Sequence, residues 1–447
     1  MPPRRCVNGM TFSETKKGSP IPPEAESYAN YLLCLSLDVG EGMLRNGGEI
    51  HRVENTIERI CKAYGAVHVE VFAITSLIVA SVRMADNSYS SQIRRVYDTE
   101  NHLTSLENYN RVSRYICANK PPLEEVDALI QKAKEQRSYP LWLFYGGSAL
   151  SAGAFTILFG GSLWDALAGT LIGLLLSAIG RIRSDYINSM ARLVLTSFLA
   201  GFLSYLSVWM GLGQRVDMIM IGTIMLLIPG LAFGSAVRDL LCGDFLAGIL
   251  KTVQSCLSAV LIAAGYSLSV LLMEPWVQPE GGFGTGEHSL AIQLIAAIGG
   301  TVGFGLMFRA RVRFMPVVGL SGLGTYLLFV FVGSQGGSAF LAAFVATLFT
   351  TLFAEVAARV FRAPTLVFVT LGSVSIVPGS RLYYTMSALL MGEKELMRTH
   401  LAATLEITAG IAVGIVLVSV LTNVFLHLLA NIKEARRARE TEQTQKK

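Results

Sequence analysis

The sequence predicts an all-α polytopic membrane protein of about ten transmembrane helices, arranged as a 5+5 inverted repeat behind a small α+β cytoplasmic N-terminal domain. Three observations support this fold class. Residues 1–140 carry charges at the density of a soluble protein, residues 141–430 consist of long apolar runs, and a Pro-Gly motif recurs at an interval of 149 residues. Of the 447 residues, 52% are hydrophobic and 15% are charged, so the distribution of apolar residues decides the class.

The N-terminal part predicts a disordered arm followed by a small folded domain. Residues 1–26 are polar and rich in Pro, Ser and Lys, a composition typical of disorder. No apolar signal segment precedes residues 27–140, so we expect this α+β domain to lie in the cytoplasm. Within it, 28–63 has a helical pattern, 66–82 is rich in β-branched residues and predicts two buried strands, and 90–137 is amphipathic and predicts helix.

The apolar part of the chain predicts ten membrane helices, since a helix of roughly 20 apolar residues crosses a hydrocarbon core of ~30 Å. We place these helices at about 141–160, 162–179, 191–212, 216–237, 248–273, 289–307, 315–333, 337–357, 365–390 and 403–430. The first five form one half, 141–273, and the last five form the other, 289–430.

Basic residues orient these helices. The predicted inner loops and their flanks hold ten: Arg181, Arg183, Arg192, Arg238, Lys251, Arg309, Arg311, Arg313, Arg359 and Arg362. The predicted outer loops hold only Arg215, Lys394 and Arg398. This bias follows the positive-inside rule and predicts a multi-pass protein of the plasma (inner) membrane with both termini in the cytoplasm. The loop 274–288 is then extracytoplasmic, and 431–447 forms a basic cytoplasmic tail.

Each half carries one Pro-Gly motif inside its fourth span. A shift of 149 residues places Pro229-Gly230 on Pro378-Gly379, and LLCGD on LLMGE. Because each half has an odd number of helices, the second half enters the bilayer from the opposite face, and the duplication is an inverted repeat. Inverted repeats with broken helices at matching positions are typical of secondary transporters, whose substrates bind where the breaks meet.

The breaks suggest which residues bind substrate. Proline and glycine interrupt the hydrogen bonding of a helix and leave backbone N–H and C=O groups without helical partners. Such groups cannot face lipid, so they line protein or a watery cavity. Ionisable residues near the breaks extend the candidate site for substrate and proton coupling: Arg238, Asp239, Asp244 and Arg381. Arg238 or Arg381 would hold a carboxylate, and Asp239 or Asp244 would carry a proton or hold an ammonium group.

Each of these features also has a purely structural explanation. The Pro-Gly motifs would then be packing kinks, Arg381 would extend toward the membrane surface or form an internal ion pair, and Asp239 would pair with Arg238 at the interface. Asp165, at the start of a predicted span, is expected to be solvated.

The cytoplasmic part contains a ladder of alternating charge at helical spacing: Glu41, Arg45, Glu49 and Arg52, with Glu54 in a second row. Such ladders are usually solvated salt bridges. A glycine pair, Gly47-Gly48, interrupts the ladder and predicts a break or a close backbone approach.

These residues resemble the start of the threonine/serine exporter family. The matching positions are Gly40, Glu41, Leu44, Gly48, Glu49, Arg52, Val53 and Glu54, followed by AYG and HVEVF. IPGLAFGSAVRDLLCGDFLAG is similar to the first membrane half of that family, and RAPTLVFVTLGSVSIVPGSRLYY to its second half. The resemblance covers about residues 30–425. It implies an inner-membrane exporter of threonine and serine driven by the proton-motive force.

The sequence leaves three functions open. The first is proton-coupled export of small hydroxy amino acids, and the second is export of organic acids such as succinate. The third is a membrane-bound hydrolase that uses Glu49, Arg52 and Glu54 with His51 or His68. We favour a transporter rather than an enzyme, with a small molecule, protons and the lipid bilayer as partners. No metal site, cofactor or nucleic-acid partner is expected, because the cysteines and histidines show no ligand spacing.

Overall fold

The computed structural model describes residues 23–97, 99–135, 139–181, 188–227, 235–236, 239–240, 243–273, 275–276, 288–390 and 392–445. These residues group into two compact units. The first contains the chain up to Phe144 together with Asp244–Leu250 and Phe308–Arg311, and the second contains the remainder.

The first unit contains four helices and three strands, in the order α1 (Pro23–Arg45), α2 (Ile50–Ala63), β1 (Ala66–Ile74), β2 (Leu77–Met84), β3 (Tyr89–Arg95), α3 (Leu103–Asn119) and α4 (Leu123–Glu135). Most of the predicted arm lies outside the described residues, although its last four residues begin α1. The predicted break at Gly47-Gly48 is confirmed. Gly47 has a φ of +87°, and a Cβ on Gly48 would lie 2.8 Å from Met43 O, so glycine is required there.

The sheet is antiparallel with the strand order β1-β2-β3, and it corrects two predictions. The β3 strand lies in a stretch predicted to be helical. Its polar side chains give no strand pattern, but the turn at Asp86–Asn87 pairs it with β2. There Asp86 Oδ1 accepts a hydrogen bond from Ser88 N at 2.9 Å, and Asn87 has a φ of +64°. The β1 strand was predicted to be buried, but among its nine residues Ala73 is buried and the others are half-buried or exposed. Only β2 buries one face.

The α3 helix begins against the segment Phe308–Arg311. The first N–H groups of a helix have no partner within it. In α3, Leu103 N donates to Phe308 O at 3.0 Å and Thr104 N donates to Arg309 O at 3.1 Å. Arg309 has a φ of +54°, which turns these carbonyl groups toward α3.

Two ion pairs fix the same segment. Arg311 Nε lies 2.8 Å from Glu107 Oε2, whose side chain is only 7% exposed, and Arg311 Nη2 donates to Asn108 Oδ1 at 3.0 Å. Arg309 Nη1 lies 3.2 Å from the more exposed Glu100 Oε2. The segment is therefore held by backbone and side-chain contacts together.

The second unit is helical. Its helices are α5 (Leu141–Leu158), α6 (Leu163–Gly180), α7 (Ser189–Trp209), α8 (Val216–Ile224), α9 (Phe245–Met273), α10 (Leu290–Met307), α11 (Met315–Ser334), α12 (Ala339–Phe361), α13 (Thr365–Gly372), α14 (Gly379–Leu390) and α15 (Lys394–Gln445). The first few residues of α5 and α9 belong to the first unit.

The described residues contain eight helices long and apolar enough to cross a membrane, or nine if the bent pair α13 and α14 forms one span. The predicted polytopic all-α membrane fold with a small N-terminal sheet is confirmed. Ten spans were predicted. The fourth, 216–237, is described only in part, because α8 covers its first nine residues and most of the others lie outside the described residues. The predicted loop 274–288 lies almost entirely outside them as well.

Helix starts recur at the interval of the Pro-Gly motifs. The α5, α8 and α9 helices begin at Leu141, Val216 and Phe245, and α10, α13 and α15 begin 149 residues later in each case, at Leu290, Thr365 and Lys394. The α5 and α10 helices also have the same length of 18 residues.

The α5 and α10 helices cross at small residues. Ser151 Oγ donates to Gly300 O at 3.2 Å, and these two positions are themselves 149 residues apart. A Cβ on Gly303 would lie 2.8 Å from Gly147 O, so the backbones touch. Gly147 contacts residues near Met307, whereas Phe155 contacts Gly300. The helices therefore run antiparallel.

We expect Arg311→Ala to destabilise the first unit by about 3 kcal/mol, because it leaves the buried Glu107 carboxylate without its cation. The measurement is hydrogen exchange of the α3 amides in the full chain in detergent. Arg398→Ala is the control: its pair with Glu395 is 70% and 87% exposed at 3.0 Å, and its loss should change little. Unchanged α3 protection in Arg311→Ala would contradict the role of this ion pair.

Candidate functional site

The second Pro-Gly motif breaks a membrane helix, as predicted. The α13 helix ends at Gly372, a short 3₁₀ turn follows, and α14 begins at Gly379. The axes on either side of Pro378 differ by 49°. Ser373 Oγ donates to Val369 O at 2.9 Å and so occupies a carbonyl group near the end of α13. The break is closely packed, because a Cβ on Gly372 would lie 2.2 Å from Ser321 Oγ.

At the first predicted break, the structure describes the chain only up to residue 227. The α8 helix ends at Ile224, and Leu227 N then donates to Ile224 O at 2.8 Å in a tight turn. Pro229, Gly230 and Arg238 lie outside the described residues, so their predicted roles stay predictions.

Four buried tyrosines, Tyr205, Tyr266, Tyr383 and Tyr384, form a tyrosine cluster in which α8 and α14 meet. The hydroxyl oxygens of Tyr266 on α9 and Tyr383 on α14 are 3.1 Å apart, within hydrogen-bond distance. Tyr383 Oη also lies 3.9 Å from Met220 Sδ on α8. The segment that follows the second Pro-Gly motif therefore packs against α8, the helix that precedes the first motif in the sequence.

Charged groups lie at the edge of the tyrosine cluster. Arg215 Nη2 is 2.8 Å from Asp217 Oδ2, and both are close enough to Tyr384 for an electrostatic interaction. Arg381 is in the first turn of α14, and its Nη1 is 3.4 Å from His400 Nδ1. The centroid of the His400 ring is 5.2 Å from that of the Tyr384 ring. A guanidinium can only donate, so Nδ1 of His400 is the acceptor and the proton of the neutral ring is on Nε2.

Asp165 is fully buried, which corrects the prediction that it is solvated. Its Oδ2 accepts from Ser162 N at 2.8 Å in a capping box at the start of α6. Its Oδ1 accepts from Gln214 N at 2.6 Å and Arg215 N at 3.0 Å. One carboxylate therefore fixes the start of α8 against α6 and positions Arg215 beside the tyrosine cluster.

Asp239 is also buried, and its described cationic partner is Lys251 on α9. Lys251 Nζ lies 2.6 Å from Asp239 Oδ2, and the two side chains are 18% and 6% exposed. The alternative pairing with Arg238 involves a residue outside the described ones. Asp239 and Arg381 thus each contact a residue on the last helix of their own half, Lys251 and His400 respectively.

Asp244 belongs to the first unit and approaches Glu54, another predicted site residue. Partial burial raises the pKa of Glu54, a hydrogen bond from Ala73 N at 2.8 Å lowers it, and the charge of Asp244 raises it again. Glu49 occupies the N-cap position of α2 without a side-chain capping hydrogen bond, and its Oε2 lies 3.1 Å from Arg52 Nε. Glu49 and Arg52 are thus arranged as a structural ion pair, whereas Glu54 holds α2 to β1.

Sequence reasoning missed most of the tyrosine cluster, Asp217, Lys251 and His400. Lys251 counted only toward the positive-inside bias. The signal that identifies it is positional, because a shift of 149 residues places Lys251 on His400. Among the described residues, no group of three His, Cys, Asp or Glu side chains could hold a metal ion.

The described helices define a multi-pass membrane protein with an interrupted span. A family model described as "Putative threonine/serine exporter" matches residues 35–273, and one described as "Threonine/Serine exporter, ThrE" matches residues 293–421. The chain therefore belongs to the threonine/serine exporter family. It is 22% identical over 415 residues to the threonine/serine exporter of Corynebacterium glutamicum, with 89% of this chain and 84% of that protein covered. No solved structure matches the chain.

The hydroxyl contact between Tyr266 and Tyr383 provides a stability test. Tyr383→Phe keeps the ring but removes the hydrogen bond, and we expect a loss of about 1 kcal/mol in the free energy of unfolding. Tyr266→Phe should cost a similar amount, and the double variant less than the sum of the two. Thermal unfolding of the full chain in detergent measures all three. Strictly additive losses would mean that the hydroxyl groups do not interact.

The raised pKa of Glu54 provides a test with pH. Because its pKa in the folded state lies above the usual 4.5, the carboxyl group favours folding most below that value, and this contribution is lost as the pH rises through the folded pKa. Glu54→Gln keeps an acceptor for Ala73 N and removes the charge. We expect the variant to be at least as stable as the parent at pH 7, with a flatter dependence of melting temperature on pH between 4 and 7. Glu54→Ala, which removes the acceptor, should be less stable at both ends of this range.

Proposed function

We propose that this protein is a secondary active transporter that exports threonine and serine in exchange for protons. The observation that carries the proposal is the contact between α8 and α14 through Tyr383, because it joins the two spans that carry the Pro-Gly motifs. Backbone freed by two breaks can then serve one solute, as in transporters whose broken helices meet at the middle of the membrane.

The crossing of α5 and α10 supports an inverted repeat. Helices related by a two-fold axis in the membrane plane run antiparallel where they cross, and positions on the axis contact their own equivalents. Ser151 and Gly300 are equivalent under the 149-residue shift and are in contact. The first helix of each half would then enter the bilayer from opposite faces, which agrees with both chain ends lying in the cytoplasm.

The second break has the polarity that a zwitterion needs. The start of α14 presents backbone N–H groups and the positive end of the helix dipole, and Arg381 lies in the same turn. Together they suit the substrate carboxylate. The end of α13 at Gly372 is the negative end of a helix dipole, which suits the ammonium group. Pro229, Gly230 and Arg238 would complete the site from the first half.

Export against a gradient requires coupling. A proton that enters as the substrate leaves contributes ~2.3 kcal/mol per 100 mV of membrane potential. Asp239 is the better of the two predicted carriers, because it is buried in the membrane unit beside a cation. Asp244 instead belongs to the first unit, near Glu54.

The alternative functions have less support from the contacts. Export of a dianion such as succinate would need excess positive charge, but Arg215 is already paired with Asp217. A hydrolase in the cytoplasmic unit would need Glu49, Arg52 and Glu54, whose described contacts join parts of that unit together.

A flux measurement separates these functions. In proteoliposomes with an imposed pH gradient, we expect exchange of labelled threonine and serine that collapses when a protonophore removes the gradient. Arg381→Gln should lower this flux by more than about tenfold, since it removes a charged hydrogen-bond donor for the carboxylate. Arg398→Gln, an exposed arginine on α15, is the matched control and should transport normally.

Three outcomes would contradict parts of the proposal. Flux of succinate without flux of threonine would assign the protein to organic acids. Threonine flux that ignores the pH gradient would exclude proton coupling, and unchanged flux in Arg381→Gln would exclude that residue from the site.

A further inference from the structure

Two basic residues occupy the same place in the two halves. Lys251 is the seventh residue of α9 and His400 is the seventh residue of α15, the last helix of each half. They are 149 residues apart, the interval that also separates the Pro-Gly motifs. Nothing in the family resemblance or in the proposed function assigns a role to either one.

Each residue contacts the segment that follows the Pro-Gly motif of its own half. Lys251 Nζ bonds Asp239 Oδ2 at 2.6 Å, ten residues after Pro229 in the sequence. His400 Nδ1 accepts from Arg381 Nη1 at 3.4 Å, three residues after Pro378. The Lys251–Asp239 pair is largely buried, whereas the second contact joins the buried ring of His400, which is 9% exposed, to an exposed Arg381.

We propose that Lys251 and His400 are a pair of positioning residues that fasten each post-break segment to the last helix of its half. This inference rests on the proposed transport function. In a carrier built as an inverted repeat, the two contacts act toward opposite membrane faces, and each must open when its own side of the substrate pathway opens.

The two contacts differ in strength. The Lys251 pair joins full opposite charges at a short distance in a buried place, and removing one partner of such a pair is strongly destabilising. The His400 contact joins a charged donor to a neutral ring at a long hydrogen-bond distance. Removing Lys251 should therefore have the larger effect.

The first test measures each contact without transport. Hydrogen exchange of the full chain in detergent should rise about tenfold or more around Asp239 and the start of α9 in Lys251→Met, with α14 unchanged. His400→Leu should raise hydrogen exchange in α14 by a smaller factor and leave exchange in the Asp239 region unchanged. Lys251→Arg and His400→Gln keep a cation and an acceptor and should remain close to the parent.

The second test uses transport. Half-saturating threonine concentrations are measured separately on the two faces of proteoliposomes that contain oriented protein. A positioning role predicts that Lys251→Met and His400→Leu shift the ratio of these two values in opposite directions. A merely structural role would lower the maximal rate in both variants and leave the ratio unchanged, which would overturn the proposal.

The tests also cover a variant that fails to fold. The double variant Asp239→Asn/Lys251→Met removes both charges and should recover folded protein, with exchange still raised near residue 239. If the parent protein transports neither threonine nor serine, the proposed function is refuted. The two contacts would still be supported if each single variant raises hydrogen exchange only in its own half. Exchange that rises in both halves of either single variant would refute the contacts themselves.

Discussion

The close crossing of α5 and α10 is the contact on which the membrane part depends. Lipid removes most of the hydrophobic drive for helices to associate, so small residues that let backbones touch become decisive. Gly147 and Gly303 provide this approach, and Ser151 adds an interhelical hydrogen bond. Because α5 and α10 are the first helices of the two halves, their contact joins one half to the other.

A second constraint governs the polar groups inside the membrane part. Because no water reaches them there, each must form a hydrogen bond within the protein. Hydroxyl groups on regular helices bond back to the preceding turn, as Thr156 does to Ala152 O at 2.8 Å and Thr350 to Ala346 O at 2.8 Å. Other groups reach across the structure: Asp165 and the pair Tyr266–Tyr383 do so where spans begin or break, and Ser151 does so where α5 crosses α10.

Hydropathy and proline chemistry act locally, so the sequence predicted most of the spans and the break at Pro378. Partnerships between distant residues were not predictable in the same way. Asp165 was expected to be solvated because the loop that covers it, near Arg215, is 50 residues away. The β3 strand was missed because its pairing with β2, rather than its own residues, makes it a strand. Lys251 was counted as a membrane-flanking charge, since only the fold brings Asp239 to it.

The Lys251 and His400 positions show what joining two halves in one chain makes possible. A symmetric assembly of two identical five-helix proteins would carry the same side chain at both places, and its two faces would respond alike. In a carrier built as the proposed inverted repeat, each copy can mutate alone once the two are fused, and here Lys251 has an ammonium group where His400 has an imidazole. The cytoplasm and the cell exterior differ in pH and solute content, and such a fused carrier can adapt to each side separately.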